Sequence, residues 1–395
     1  MKNADQSLRD IQHFGEEGGV VPVIDVAATS TFLNPANMEK VFQGELQGCY
    51  LYSRHSNPTV NAFGRKMAAM EGAEAALGVA SGMSAIYCSI RQMMPEGGHI
   101  IASKTIYGGT YALFANILSQ CGIEVSFVDT NQLAEIENAV KPNTRILYVE
   151  TMSNPLLRIA DLPALKKVCV ARDLKLFVDN TFAPILVRPI DHGADVVLYS
   201  CTKYISGASD MIAGAVVGKK DFIEKLIDIN FGMVMLTGPS MDPRMAHELY
   251  LRLDHLPIRM AAHCRSAANL AAELTKHNVP VVYPGSEKHP DHQLFKKIAA
   301  SGAGFGGMMT VDCVTPHRAF QLADRLQTEK FGLYAVSLGF SRTLMSCPAV
   351  STSSEIPQAE RSSMGLSEGL LRLSIGFVGD DKVMAERFIK CYRSL

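Results

Sequence analysis

Apolar and polar positions divide the chain by period. Residues 1 to 60 show little regular pattern and hold Pro22, Pro35, Gly44, Gly48 and Pro58. Such an arm cannot build a core alone, so it is expected to pack on another domain or on a neighbouring subunit. From 61 to 250, amphipathic stretches alternate with short apolar runs. Helices are predicted over 61–70, 83–94, 110–121, 132–140 and 162–172. Strands are predicted over 99–102, 124–129, 145–150, 176–179, 196–198 and 213–217. That alternation predicts an α/β fold with a mainly parallel sheet in a large domain, helices covering both faces. The alanine-rich stretch 245–276 predicts a long helical link to a smaller C-terminal α/β domain over 251–395. There, strands are expected at 308–313 and 370–375 and a helix at 317–326.

Composition narrows the function classes. Thirty-eight basic against thirty-nine acidic residues leave a net charge of −1. No basic field gathers phosphate backbones, so nucleic acid is not an expected partner. No apolar run approaches the ~20 residues needed to span a bilayer, so no membrane partner is expected either. The opening residues Met1 to Asp5 lack a signal-peptide pattern, and a cytoplasmic location is the expectation. Nine cysteines include no closely spaced pair and sit among apolar neighbours, as reduced core thiols would.

Candidate chemistry falls at strand ends, where open α/β sheets bind ligands. Leu176-Phe177-Val178 ends in Asp179, and Val196-Val197-Leu198 leads into Tyr199-Ser200-Cys201-Thr202-Lys203. A lysine that forms a Schiff base, facing an acid that protonates a pyridine nitrogen, is the requirement of pyridoxal phosphate chemistry. The bland readings are a surface lysine and an Asp-Asn-Thr turn. Ser200 and Thr202 alternate with Lys203 in an extended segment, as phosphate ligands would. Ser81-Gly82-Met83 precedes a helix whose free N–H groups suit an anion. Tyr107-Gly108-Gly109 marks another strand-to-helix transition, where a tyrosine can stack on a flat ring. Tyr52 and Arg54 lie in the arm and reach a phosphate only if the arm crosses to a neighbour. Arg372 lies inside the apolar run Leu370–Ile375, where a substrate carboxylate or an internal salt bridge must pair it. Other motifs are discounted. The glycines at 302, 304, 306 and 307 precede a strand rather than follow one, the reverse of a dinucleotide fingerprint. His289 and His292 lack a third ligand, and no metal is expected.

Taken in order, these motifs resemble the Cys/Met-metabolism family of pyridoxal-phosphate enzymes, fold type I. The resemblance runs through Tyr52-Ser53-Arg54, Ser81-Gly82-Met83, Tyr107-Gly108-Gly109, Glu150 to Asn154, Asp179-Asn180-Thr181, Ser200 to Tyr204, Ser337-Leu338-Gly339 and Leu371-Arg372. It implies pyridoxal 5′-phosphate as cofactor, a small amino-acid substrate and a homotetramer built as a dimer of dimers. It implies that Lys203 carries the cofactor and shuttles protons, that Asp179 protonates the ring nitrogen, and that Tyr107 stacks on the ring and assists the leaving thiolate. Ser81, Gly82, Met83, Ser200 and Thr202 would hold the phosphate, with Tyr52 and Arg54 of an adjacent subunit. Arg372, Asn154 and Ser337 would take the substrate carboxylate, with Thr352 and Gly109 on the substrate side. Segments 233–239, 282–285, 344–347 and 351–354 resemble the plant-type members that cleave methionine by α,γ-elimination. Gly109 and Val234-Met235 depart from bacterial members, which carry a cysteine and a Lys-Asp pair there. Replacement at Cγ of an activated homoserine, and cleavage of cystathionine, are the alternatives the resemblance leaves open.

Overall fold

The computed structural model describes residues 4–9, 19–43, 45–46 and 48–395. Seven strands form the larger sheet: β1 (Ala75–Val79), β2 (Gly98–Ser103), β3 (Ile123–Val128), β4 (Thr144–Glu150), β5 (Lys175–Asp179), β6 (Val196–Ser200) and β7 (Gly214–Gly218). Their spatial order is β1-β7-β6-β5-β4-β2-β3. From β6 to β3 the pairings are parallel, while β7 runs antiparallel to both β6 and β1. The predicted sheet is thus present with one reversed strand, and β1 was not foreseen. Ala75-Ala76-Leu77-Gly78-Val79 has too little apolar contrast to stand out.

Both faces of this sheet are buried, and successive residues divide between them as the two-residue period requires. Leu147, Val149, Leu176, Val178, Val197 and Tyr199 enter one core. Ile146, Tyr148, Phe177, Val196 and Leu198 enter the other. A register shared by β4, β5 and β6 follows, with Glu150 opposite Asp179 and Asp179 opposite Leu198. The C-terminal ends of three parallel strands therefore open on one edge.

A second sheet contains β8 (Val281–Val282), β9 (Met308–Asp312), β10 (Leu333–Tyr334), β11 (Leu344–Ser346) and β12 (Leu370–Ser374), ordered β10-β11-β12-β9-β8. The long helical link is two helices, Pro243–Asp254 and Leu256–Lys276, rather than one. Pro257 lacks an N–H and disfavours helical backbone before it, which places the break at His255. The second helix joins the two sheets. Leu256, Met260 and Cys264 pack on the large sheet, and Ala267, Leu270 and Leu274 on the small one. Among the described residues no helix is long and apolar enough to cross a membrane. The cysteines are free, and all but Cys49 and Cys121 are buried.

Candidate active site

A cavity of about 270 Å³ opens at the ends of β4, β5 and β6, roofed by the segment 336–338 and by Arg372 of β12. Its wall gathers Ser81, Gly82, Met83, Tyr107, Asn154, Asp179, Ser200, Thr202, Lys203, Ser337, Thr352 and Arg372. These residues span most of the sequence, and the parallel register brings them together.

Lys203 lies in the turn that follows β6, and its Nζ donates to Ser337 Oγ at 2.8 Å. Burial, and then the Arg372 charge, push its amine down to about 8. Roughly a tenth of it is therefore uncharged at pH 7, against a negligible fraction for an ordinary lysine. Asp179 ends β5. Its Oδ1 accepts the Thr181 N–H at 3.0 Å, and Tyr148 approaches Oδ2 only at 3.5 Å. Burial raises this acid above the ordinary aspartate range. Beside it, Glu150 is pushed up to about 8, by burial first and by Asp179 second. Two buried carboxylates at adjacent strand ends cannot both hold full charge without a cation. No lysine or arginine pairs with either among the described residues.

The anion end is built by close approach. Gly82 begins the helix Gly82–Met93, with Ser81 as its N-cap accepting the Ser84 N–H. The N–H groups of Gly82 and Met83 have no partner among the described residues and point outward with the helix dipole behind them. A Cβ on Gly82 would stand 2.8 Å from Ser200 Cβ, and one on Gly214 would stand 2.2 Å from the Ser81 carbonyl oxygen. Glycine at both positions lets the helix start lie directly against the strand that carries Ser200. Thr202 Oγ1 is fixed by the Ala213 N–H at 3.0 Å.

At the opposite side Arg372 is buried, with 3% of its surface exposed. Its Nη1 donates to Asn154 Oδ1 at 2.8 Å and its Nη2 to the Ser337 carbonyl at 3.2 Å. No carboxylate pairs with it among the described residues. Burial lowers its guanidinium to about 10, which leaves it charged at neutral pH. Ser337 joins the two cations: its hydroxyl accepts from Lys203 and its carbonyl from Arg372, and its backbone has φ 90°. Tyr107 is exposed at the cavity mouth, with 39% of its surface accessible, and partial burial of its hydroxyl raises it above the ordinary value. Thr352 Oγ1 is buried without a partner.

Three expected residues lie elsewhere. Gly109 is off the cavity wall, where a Cβ would stand 2.5 Å from Tyr107 Cε1, so its bare backbone gives the tyrosine ring room. Tyr52 and Arg54 do not line the cavity of their own chain. Arg54 donates to the Met235 carbonyl, and its guanidinium stands 5.4 Å from the Tyr52 ring centre. Others line it to which sequence reading assigned no role: Glu150 and Thr181, which it quoted only within motifs, and Phe182, Ile212 and Val336. Thr181 had a signal, because it continues the Asp179-Asn180 turn; its Oγ1 accepts the Ser200 N–H at 2.8 Å.

The residues present fit a phosphorylated pyridine aldehyde: an amine of lowered basicity, an acid with an open oxygen, and unpaired N–H groups at a helix start. Fold and site together define a pyridoxal-phosphate-dependent enzyme of fold type I. The chain belongs to the Cys/Met metabolism PLP-dependent enzymes, whose family model matches residues 9–386. It is 42% identical over 393 residues to methionine γ-lyase of Arabidopsis thaliana, covering 98% of this chain and 89% of that protein. Cystathionine γ-lyase from Lactobacillus plantarum, complexed with L-serine, superposes with TM-score 0.88 and 31% identity over 100% of both chains. A putative O-acetylhomoserine (thiol)-lyase from Campylobacter jejuni superposes with TM-score 0.92 and 26% identity, over 99% of this chain and 100% of that one. The latter structure contains an N′-pyridoxyl-lysine-5′-monophosphate.

Proposed function

We propose that the enzyme catalyses α,γ-elimination of L-methionine, consuming water and giving methanethiol, 2-oxobutanoate and ammonia. The observation that carries this reading is the buried Arg372, which no carboxylate pairs among the described residues and which Ser337 links to Lys203 across one cavity. An amino acid fits between them, its carboxylate on Arg372 and Asn154 and its Cα beside the lysine amine.

Lys203 and Asp179 hold the cofactor's aldehyde and ring-nitrogen ends. Ser81, Gly82, Met83, Ser200 and Thr202 take its phosphate. Bound there, pyridoxal phosphate supplies an electron-withdrawing ring that acidifies the Cα and Cβ hydrogens of the substrate. With the cofactor bound, the Lys203 amine would remove the Cα proton and move protons between Cα and Cβ. Its lowered basicity suits both directions of transfer. The Tyr107 hydroxyl, kept protonated by its raised pKa, donates to the departing thiolate. Thr352 borders the substrate side chain, while Gly109 acts only by leaving room for the Tyr107 ring.

The reading extends to the assembly. Residues 1–60 act as an arm that supplies Tyr52 and Arg54 to a neighbour's phosphate site, 61–250 as the cofactor domain and 251–395 as the small domain. Val20, Val23, Val26, Leu33, Phe231 and Leu236 are exposed apolar side chains, more than a lone subunit would present to water. A homotetramer, two pairs sharing sites, covers them. No compartment other than the cytoplasm is needed for this chemistry.

Likeness to the lyase and thiol-lyase structures favours one second reading, cleavage of cystathionine or replacement on O-acetylhomoserine. The test presents methionine, homocysteine, cystathionine, and O-acetylhomoserine with sulfide in parallel, identifying products by mass. Methanethiol and 2-oxobutanoate from methionine, at the highest kcat/KM of the set, are expected. Consumption of the ester alone, with methionine untouched, would assign the enzyme to γ-replacement instead.

A further inference from the structure

We propose that Glu150 is a positioning residue, a single carboxylate that ties the Tyr107 segment and the Asn154 segment to the strand end beside Asp179. This inference rests on the function proposed above and adds a part to the same site.

Glu150 is the last residue of β4 and lines the cavity, with 8% of its surface exposed. Its Oε1 accepts the Tyr107 N–H at 2.8 Å, and its Oε2 accepts the Asn154 N–H at 2.9 Å. Tyr107 caps the helix Gly108–Ala112 without any side-chain cap bond. Asn154 in turn accepts from Arg372 at 2.8 Å. One side chain therefore stands between the ring at the cavity mouth and the guanidinium at its roof.

Residue chemistry explains why an acid is needed. A carboxylate offers acceptors on both oxygens, whereas the neutral amide of glutamine offers one oxygen and turns two N–H donors toward the other site. Only the ionised carboxylate serves both backbone N–H groups fully; burial and Asp179 raise Glu150 to about 8 in the protein alone, and a cation beside Asp179 would favour its ionised form. Its place next to Asp179 is otherwise unfavourable, since each acid raises the other's cost of ionisation. An ordinary buried acid satisfying two orphan N–H groups would have the same bonds. The difference is that both segments held here carry site residues.

The test compares Glu150→Gln and Glu150→Asp with the wild-type holoenzyme. Hydrogen exchange is read on peptides covering 104–110, 151–156 and the core strands β4 and β5. Steady-state kinetics with methionine and absorbance titration with pyridoxal phosphate run alongside. In Glu150→Gln, exchange should rise in both loop peptides while the core strands stay protected. Misplacing Tyr107 and Asn154 should lower kcat/KM about 10²-fold, since an ångström of misplacement has that effect. Glu150→Asp keeps the charge but falls one methylene short, and should loosen the same two peptides. Wild-type exchange in both peptides together with wild-type kcat/KM would overturn the inference. So would unfolding of both variants, because a tether of two loops leaves the core standing. The parent reading fails separately, if wild-type protein takes up no pyridoxal phosphate or leaves every amino acid unchanged.

Discussion

Lys203 and Arg372 face the same cavity, and in the absence of a ligand their charges oppose each other. Burial first, and that conflict second, lower the lysine from an ordinary value near 10.4 to about 8. Sign follows from linkage. The folded state holds the lysine proton less tightly than the unfolded state, so the penalty is complete below pH 8. It fades as pH rises toward the unfolded value. Lys203→Met, which keeps the length without the charge, should therefore stabilise the cofactor-free protein at pH 7 by on the order of 2–3 kcal/mol. Thermal melting of both apo-proteins from pH 6.5 to 10.5 checks this. A gap that stays constant across that range would show that the lysine charge is not the cause. Lys203, Asp179 and Arg372 were legible because each is a polar residue set against an apolar run. Glu150 sits at a strand end too, yet its partners are backbone N–H groups 43 and 4 residues away, which no local pattern displays.

At the scale of elements, the phosphate end depends on a helix start pressed against two strands. Gly214 begins β7, and a Cβ there would lie 2.2 Å from the Ser81 carbonyl oxygen, which is backbone and cannot swing away. Gly214→Ala must shift the start of the Gly82 helix off Ser200. Overpacking of this kind costs about 1–3 kcal/mol. Where that displacement falls on the helix start, pyridoxal phosphate should bind about 10- to 100-fold more weakly, with a modest loss of melting temperature. Absorbance titration of the apo-protein reads the first and calorimetry the second. Unchanged affinity with a lowered melting temperature would remove the helix start from the cofactor site. The strands that carry chemistry were visible as apolar runs ending in polar residues. The reversed strand β7 was visible as a strand but not as antiparallel, because direction is set by pairing with β1 and β6 across the sheet. The break at His255 could be read from Pro257, which the alanine-rich periodicity around it overshadowed.

For the whole molecule, Tyr52 and Arg54 are the expected site residues that a single subunit does not bring to its cavity. In their own chain they lie away from the cavity, held by the Met235 carbonyl, while Ile212 and Val336 leave the mouth exposed. The arm carrying them showed no period in the sequence; Ala4, Leu8 and Val60 pack into the core of their own chain, while Val20, Val23 and Leu33 stay exposed. The proposed two-fold pair would resolve this by exchanging arms, so that each cavity would combine Lys203 of one subunit with Arg54 of the other. Arg54→Ala and Lys203→Ala homo-oligomers should each be nearly inactive, the first rescued in part by excess cofactor and the second not. Co-expressed, the two variants form hybrids in which one site inherits both defects and the other neither. Random pairing by two-fold symmetry then leaves roughly a quarter of all sites intact. Activity per subunit near that fraction in the co-expressed mixture, and near half in hybrid pairs purified by two different tags, is the expected result. Sites confined to one subunit would give no recovery, because every Lys203-bearing subunit in the mixture would carry the Arg54 defect itself.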